Sequence, residues 1–179
     1  MSSNEKTKVG NATDALTGLM LPDLIPDHLI QQPQCGITIL DIDTFRVFTA
    51  CYGYQESDAV LRDLAQTLQR MAPEQCHIFR SAGDEFTILM EYLPINQLLD
   101  FAFKLSKAIK AQFAHYPAGK YFYLIKDKPS SRIQSIPLTV SCGVALYPDH
   151  GNSYAWIKEA IYQAWYIQGK REVVTSLPL

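Results

Sequence analysis

Two pairs of acidic residues carry the chemistry open to this sequence. Asp41 and Asp43 close the apolar run CGITILDID. Asp84 and Glu85 sit in FRSAGDEFTILM, between an apolar run that approaches them and one that leaves. A tight turn between two buried strands needs polar residues, but it does not need two adjacent anions. If that hairpin pairs beside the first strand, Asp41 and Asp84 come within a few ångströms of each other. Carboxylates that close repel, and one pKa rises. A divalent cation removes that cost. Magnesium accepts one or two protein carboxylates and leaves its other positions to water and substrate phosphates. The pattern therefore points to a nucleotide site. The loop after Asp43 would offer backbone N–H groups to phosphates, with Arg46 nearby. Taken singly, a D-x-D pair and a G-D turn are ordinary surface punctuation; the order strand, helix, hairpin is what links them.

The elements that must position these acids follow from hydrophobic periodicity. The run from Cys35 suits a central strand covered on both faces. Leu61, Leu64, Ala65, Leu68 and Met71 form one helical stripe, with Ser57 or Asp58 as its cap. CHIFRSAGDEFTILMEYL reads as a β-hairpin. A second stripe runs through Ile95, Leu98, Leu99, Ala102, Leu105, Ile109 and Phe113, and a third helix is SYAWIKEAIYQAWYIQ, closed by Gly169. KYFYLIK, IPLTVSCGVALYP and REVV read as strands. LPDLIPDHL reads as short helical pieces or loop, and Thr13 or Asp14 as a turn former or cap. Helices interleave with strands and one hairpin forces antiparallel pairing. The fold class is α/β, an α+β sandwich with a central mixed sheet flanked by helices. The aromatic residues Trp156, Tyr162, Trp165 and Tyr166 sit at helical spacing and read as core.

Composition removes other classes. The chain has 179 residues, 47% apolar and 19% charged, with a net charge of −2. That is enough for one domain and offers no broad basic surface for nucleic acid. No apolar run approaches the roughly 18 residues of a membrane span. The first 13 residues are polar and read as a disordered tail or linker, not a secretory signal, so a cytoplasmic location is expected. Cys35, Cys51, Cys76 and Cys142 are scattered through apolar surroundings and read as free thiols.

Six blocks in chain order carry a resemblance: DALTGL (14–19), DIDTF (41–45), YGYQESDAVL (52–61), FRSAGDEF (79–86), TVSCGVALYP (139–148) and AIYQAWYIQGKR (160–171). Together they resemble GGDEF domains, the diguanylate cyclase family, from about residue 14 to residue 179. The resemblance implies a fold like the palm of nucleotide cyclases and polymerases. It implies a magnesium- or manganese-dependent condensation of two GTP into cyclic di-GMP and two pyrophosphates. The reaction would run between two subunits of a homodimer, with an attached or partner sensory domain bringing them together. Carried onto this chain, Asp41, Asp84 and Glu85 would be catalytic. Asp41, the carbonyl of Ile42, and Asp84 would hold the metal. Thr44, Phe45 and Arg46 would cradle phosphates, and Ala82 and Gly83 would let the backbone approach the nucleotide. Asp58 would read guanine unless it caps a helix, Thr49 stands where the family reads guanine with asparagine, and Lys170 would lie near the γ-phosphate.

The sequence also departs from the family pattern. Ala82 replaces the first signature glycine, Ala50 replaces an aspartate, and the lysine of the last helix falls on Trp165 or Tyr166. Pro73 and Cys76 stand where the family's inhibitory arginine and aspartate would be. These departures imply weakened activity without that mode of product inhibition, or alternatively a degenerate domain that binds GTP or a protein partner and regulates without catalysis.

Overall fold

The structure, a computed structural model, describes residues 12–115, 124–125, 128–129, 138–168 and 173–175. After a 3-10 turn at Pro22–Leu24, the elements run α1 (Ile25–Gln31), β1 (Cys35–Ile42), α2 (Phe45–Met71), β2 (His77–Arg80), β3 (Glu85–Glu91) and α3 (Ile95–Gln112). They continue with β4 (Leu124–Ile125), β5 (Lys128–Pro129), β6 (Val140–Tyr147), α4 (Tyr154–Gln168) and β7 (Val173–Thr175). Five strands form a sheet in the order β2-β3-β1-β6-β7, and β4 pairs with β5 apart from it. β1 lies in the middle, antiparallel to both β3 and β6, while β7 joins β6 in parallel. The sheet is therefore mixed and the central-strand expectation holds.

Strand alternation sorts the core into two layers. Leu40, Ile42, Phe86, Ile88, Val140, Cys142 and Val144 face α2 and α3, meeting Leu61, Leu64, Leu68, Leu98 and Leu105. Ile37, Ile39, Leu89 and Ala145 face the other way, onto Ile25 and Leu29 of α1 and Ile157, Ile161, Ala164 and Trp165 of α4. By the same alternation Asp41 and Glu85 belong to the α4 face. The stripes marked on α2 and α3 face the first of these layers, with Leu61, Leu64, Ala65, Leu68, Leu98, Ala102, Leu105, Ile109 and Phe113 buried and Met71, Ile95 and Leu99 partly so. Cys35, Cys76 and Cys142 are free thiols, and burial pushes the Cys35 thiol up to about 11.

Two expectations are corrected. The segment after Asp43 is not a loop: α2 begins at Phe45, and Gly53, at φ 85° and ψ 171°, kinks it. No helix starts at Ser57 or Asp58. Phe45, Phe48 and Tyr52 explain the early start, because they stack along one side of the first turns at 6.0 and 4.6 Å. Nor are all four aromatics of α4 core. Trp165 is 3% exposed, but Trp156 is 52% and Tyr166 is 88% exposed. Ile157, Ala160, Ile161 and Ala164 take the sheet-facing stripe and turn the other rings outward.

α1 docks through His28, which is buried and stacks on His77 at 4.0 Å. Its Nε2 has no hydrogen-bond partner among the described residues. Burial holds both imidazoles below their ordinary pKa of 6.5, and at His28 the charge of His77 adds to it. A folded-state pKa below the unfolded one means stability is full above the unfolded value and is lost as pH falls through it toward the folded value. The urea midpoint is therefore expected to drop between pH 7.5 and 5.5, and His28→Leu is expected to flatten that slope.

Candidate functional site

The register of β1 against β3 puts Asp41 directly opposite Glu85. The next rung is closed by the Ile42 N–H, which donates to the Asp84 carbonyl at 3.2 Å. All three acids thus lie at one end of the two central strands. Asp41 and Asp84 are half-buried, whereas Glu85 is 2% exposed. A cavity of about 570 Å³ opens beside Asp41 and is lined by it with Tyr162, Trp165 and Tyr166.

Asp43 does different work. Its carboxylate is buried and accepts the hydroxyls of Thr139 and Ser141 at 2.5 and 2.6 Å, and its N–H donates to the Thr139 carbonyl at 2.9 Å. It fastens the end of β1 to β6.

The signature turn is held from outside. Arg80 donates to the Gly83 carbonyl at 2.7 and 3.0 Å and to Asp14 at 2.9 Å. Burial alone would raise the Asp14 pKa, but hydrogen bonds from Thr17 and Arg80 overcome it and hold the carboxyl below its ordinary value. Ala82 is exposed, and Thr44 is the only non-glycine with positive φ among the described residues. The alanine therefore meets no left-handed strain. Gly83 has no atom within 4 Å of where a Cβ would stand, so its face of the turn is open.

Thr44 carries the strain instead, at φ 58° and ψ 26°, between the end of β1 and the start of α2. A β-branched residue pays for that conformation. Thr44 caps α2 with no side-chain bond; its hydroxyl donates to the Asp43 carbonyl at 2.6 Å. Phe45 and Arg46 follow in the first turn of the helix, with Arg46 exposed. Thr44→Asn, which tolerates the left-handed region, is expected to gain about 0.5–1 kcal/mol in urea unfolding.

Thr49 is half-buried and spends its proton on the Phe45 carbonyl at 3.1 Å, with the Ser57 hydroxyl 2.8 Å away. Ser57 also reaches the Gly53 carbonyl at 2.9 Å, so this pair spans the kink of α2. Asp58 is half-buried, one residue further along the same helix. Lys170 and Gly169 lie outside the described residues.

Two residues at this site were not read as part of it from the sequence: Lys158 carried no signal, and Tyr162, read as core, is 37% exposed and turns its hydroxyl to Glu85. Lys158 Nζ lies 2.6 Å from Glu85 Oε1, and the Tyr162 hydroxyl donates to Glu85 Oε2. They stand at i and i+4 on α4, one above the other, with the ammonium 5.4 Å from the Tyr162 ring centre. Burial pushes the Tyr162 phenol well up, and the bond to Glu85 and the charges of Glu85 and Asp41 add to that, so it remains a donor. A hydroxyl chain from Ser81 through Thr87 to Tyr154, at 2.5 and 2.6 Å, ties the hairpin to the start of α4. Trp165 gives its Nε1–H to the Cys142 carbonyl at 3.2 Å, as a residue of the core does.

No cluster of three or more Asp, Glu, His or Cys side chains converges as a cage among the described residues. Asp41 beside a cavity, with Asp84 one rung away, is a sparse donor set of the kind a divalent cation accepts.

A sequence profile described as "Diguanylate cyclase, GGDEF domain" matches residues 11–172. Among solved structures, the GGDEF domain of DgcB from Caulobacter crescentus, in complex with c-di-GMP, superposes with a TM-score of 0.71 at 21% identity. The match covers 93% of this chain and 96% of that one. The diguanylate cyclase SiaD of Pseudomonas aeruginosa, in complex with its activator SiaC, gives 0.68 at 18% identity over 94% and 63%. Two staphylococcal relatives are named as uncharacterized membrane proteins. SSP1970 of Staphylococcus saprophyticus is 37% identical over 42% of this chain and 20% of its own length. SAUSA300_0730 of Staphylococcus aureus is 27% identical over 54% and 30%. The chain thus spans a third or less of those relatives, and no described helix of its own is long and apolar enough to cross a membrane. With the profile matched over nearly its whole length, the chain belongs to the GGDEF family, the diguanylate cyclase domains.

Proposed function

We propose that this domain condenses two GTP molecules into cyclic di-GMP and two pyrophosphates, weakly, at the interface of a homodimer. The observation that carries the reading is the rung that sets Asp41 against Glu85, with Asp84 at its edge. Asp41, Asp84 and the Ile42 carbonyl would hold a magnesium or manganese ion. Such an ion, when bound, neutralises the charge that develops on a transferring phosphoryl group. The start of α2, at Thr44, Phe45 and Arg46, would offer N–H groups and a cation to the phosphates. Gly83 and Ala82 leave the turn open to the nucleotide. Asp58 would accept the guanine edge. Thr49, its proton already used, offers less than an asparagine would. Lys170 would contact the γ-phosphate. Each subunit presents one GTP, and the 3′-hydroxyl of one displaces pyrophosphate from the α-phosphorus of the other. A sensory domain, attached or separate, would bring the subunits together, at the cytoplasmic side of a membrane or in solution.

The second reading is a regulatory module that binds GTP or a protein partner without turnover. The buried Trp165 and the occupied Glu85 favour it. Incubating the purified chain with GTP and Mg²⁺, and measuring cyclic di-GMP by mass spectrometry, separates the two. Product that rises faster than linearly with protein concentration supports the dimeric cyclase. No product at high protein concentration, with GTP binding retained in calorimetry, leaves the regulatory module.

A further inference from the structure

Of Asp41, Asp84 and Glu85, Glu85 is the most enclosed, and each of its oxygens accepts a hydrogen bond. Oε1 holds the Lys158 ammonium at 2.6 Å, and Oε2 accepts the Tyr162 hydroxyl. The two partners come from the same face of α4. That helix cannot slide, because Ile157, Ile161, Ala164 and Trp165 are buried against the sheet. Lys158 is itself three-quarters buried and rests against the Tyr162 ring, so its charge is fixed in place. For Glu85 to ligate a metal it would have to share one of these oxygens with the ion or release the partner on it. In either case the Lys158 ammonium would stand beside a dication in a poorly solvated corner, where like charges repel strongly. Asp41, opposite Glu85, borders the open cavity and is reached without disturbing this arrangement.

We propose that Lys158 is a built-in cation of the carboxylate cluster: by occupying Glu85 it takes the position of a second metal ion, and the site binds one divalent cation, through Asp41 and Asp84. The proposal rests on reading those acids as a metal site. Lys158 is on this view a positioning and selectivity residue, one that sets how many metal ions the site accepts. A charge fixed to the chain holds Glu85 at any metal concentration, whereas a second ion would come and go.

The test is Mn²⁺ titration of the full chain, with free Mn²⁺ read by electron paramagnetic resonance and folding checked by circular dichroism. The natural protein is expected to take up one equivalent. Lys158→Met frees Glu85 and is expected to bind a second equivalent, or to tighten the first by tenfold or more. Lys158→Arg keeps the charge and is expected to behave as the natural protein does. Two equivalents in the natural protein, or Lys158→Met with unchanged number and affinity, would overturn the proposal. If Lys158→Met does not fold, Tyr162→Phe decides: it loosens Glu85 and should tighten Mn²⁺ several-fold, and no change counts against the proposal. Asp41→Asn separates this from the underlying reading. Mn²⁺ uptake that ignores Asp41→Asn, or no uptake in any variant, overturns the metal site itself.

Discussion

Asp41→Asn is expected to lower cyclic di-GMP formation by about a thousandfold or more and to remove metal-dependent GTP binding, with the fold intact. Asparagine keeps the shape of aspartate and deletes one negative charge. With Asp41 and Asp84 as the proposed metal ligands, that halves the protein's charge toward the ion, and electrostatic stabilisation of this kind is commonly the largest single contribution to catalysis. Calorimetry with GTP and Mg²⁺, alongside the product assay, reads both effects. The informative contrast is Asp43→Asn, two residues away. The Asp43 carboxylate accepts the hydroxyls of Thr139 and Ser141 at the start of β6. The asparagine amide would turn one N–H₂ toward a hydroxyl that now donates, at a cost of about 1–3 kcal/mol in stability. Asp41→Asn should therefore change ligand binding with little change in unfolding, and Asp43→Asn should do the reverse. Equal effects from both would remove the distinction between the ligand and the strut.

What the sequence made legible, and what it hid, divides along the range of the interactions. β1, the hairpin and the stripe of α3 are written in local periodicity, and each is found where that periodicity puts it; α4 is found as a helix, but its aromatic residues hid which face meets the sheet. The pairing of β1 with β3 was conditional in the sequence and became definite only through the register. The first turns of α2 were concealed because Gly53 and a run of aromatic residues imitate a loop. The spacing of Phe45, Phe48 and Tyr52, at i, i+3 and i+7, was the available signal. Lys158 was invisible for a different reason. Its partner Glu85 is 73 residues away in sequence, and no motif spacing records that contact. Only the docking of α4 on the odd-numbered face of β1 and β3 creates it. A reader of the sequence alone could have noted that Lys158 and Tyr162 flank the buried Ile161 on a helix destined for that face. Whether an alanine in place of the signature glycine is strained also required the backbone: the residue with positive φ near the site is Thr44, not Ala82.

The height of α4 above the sheet is set by Gly143, and this gives the largest stability effect expected. Gly143 sits on β6 opposite Ile39, on the α4 face. A Cβ built there would stand 2.1 Å from Ile161 Cγ2 and 3.1 Å from its Cβ and Cγ1. Ile161 is fully buried, so it has no empty rotamer to escape into, and the helix must rise or tilt. Gly143→Ala is expected to cost about 1–3 kcal/mol, as overpacking does in a filled core. Ile161→Ala alone opens a cavity and should cost about 2–5 kcal/mol. Combined, the two changes relieve each other, because the new methyl enters the space that the isoleucine vacates. The double variant should be more stable than the sum of the singles by about 1–2 kcal/mol in urea unfolding. The same geometry reaches the site. Lys158 and Tyr162 flank Ile161 on α4, so a helix lifted by Gly143→Ala draws both away from Glu85. Mn²⁺ binding to Gly143→Ala should then shift toward the behaviour expected of Lys158→Met, and restoring the helix with Ile161→Ala should reverse that shift. A single missing side chain on β6 thus decides both how tightly α4 packs and how firmly its lysine holds the buried acid.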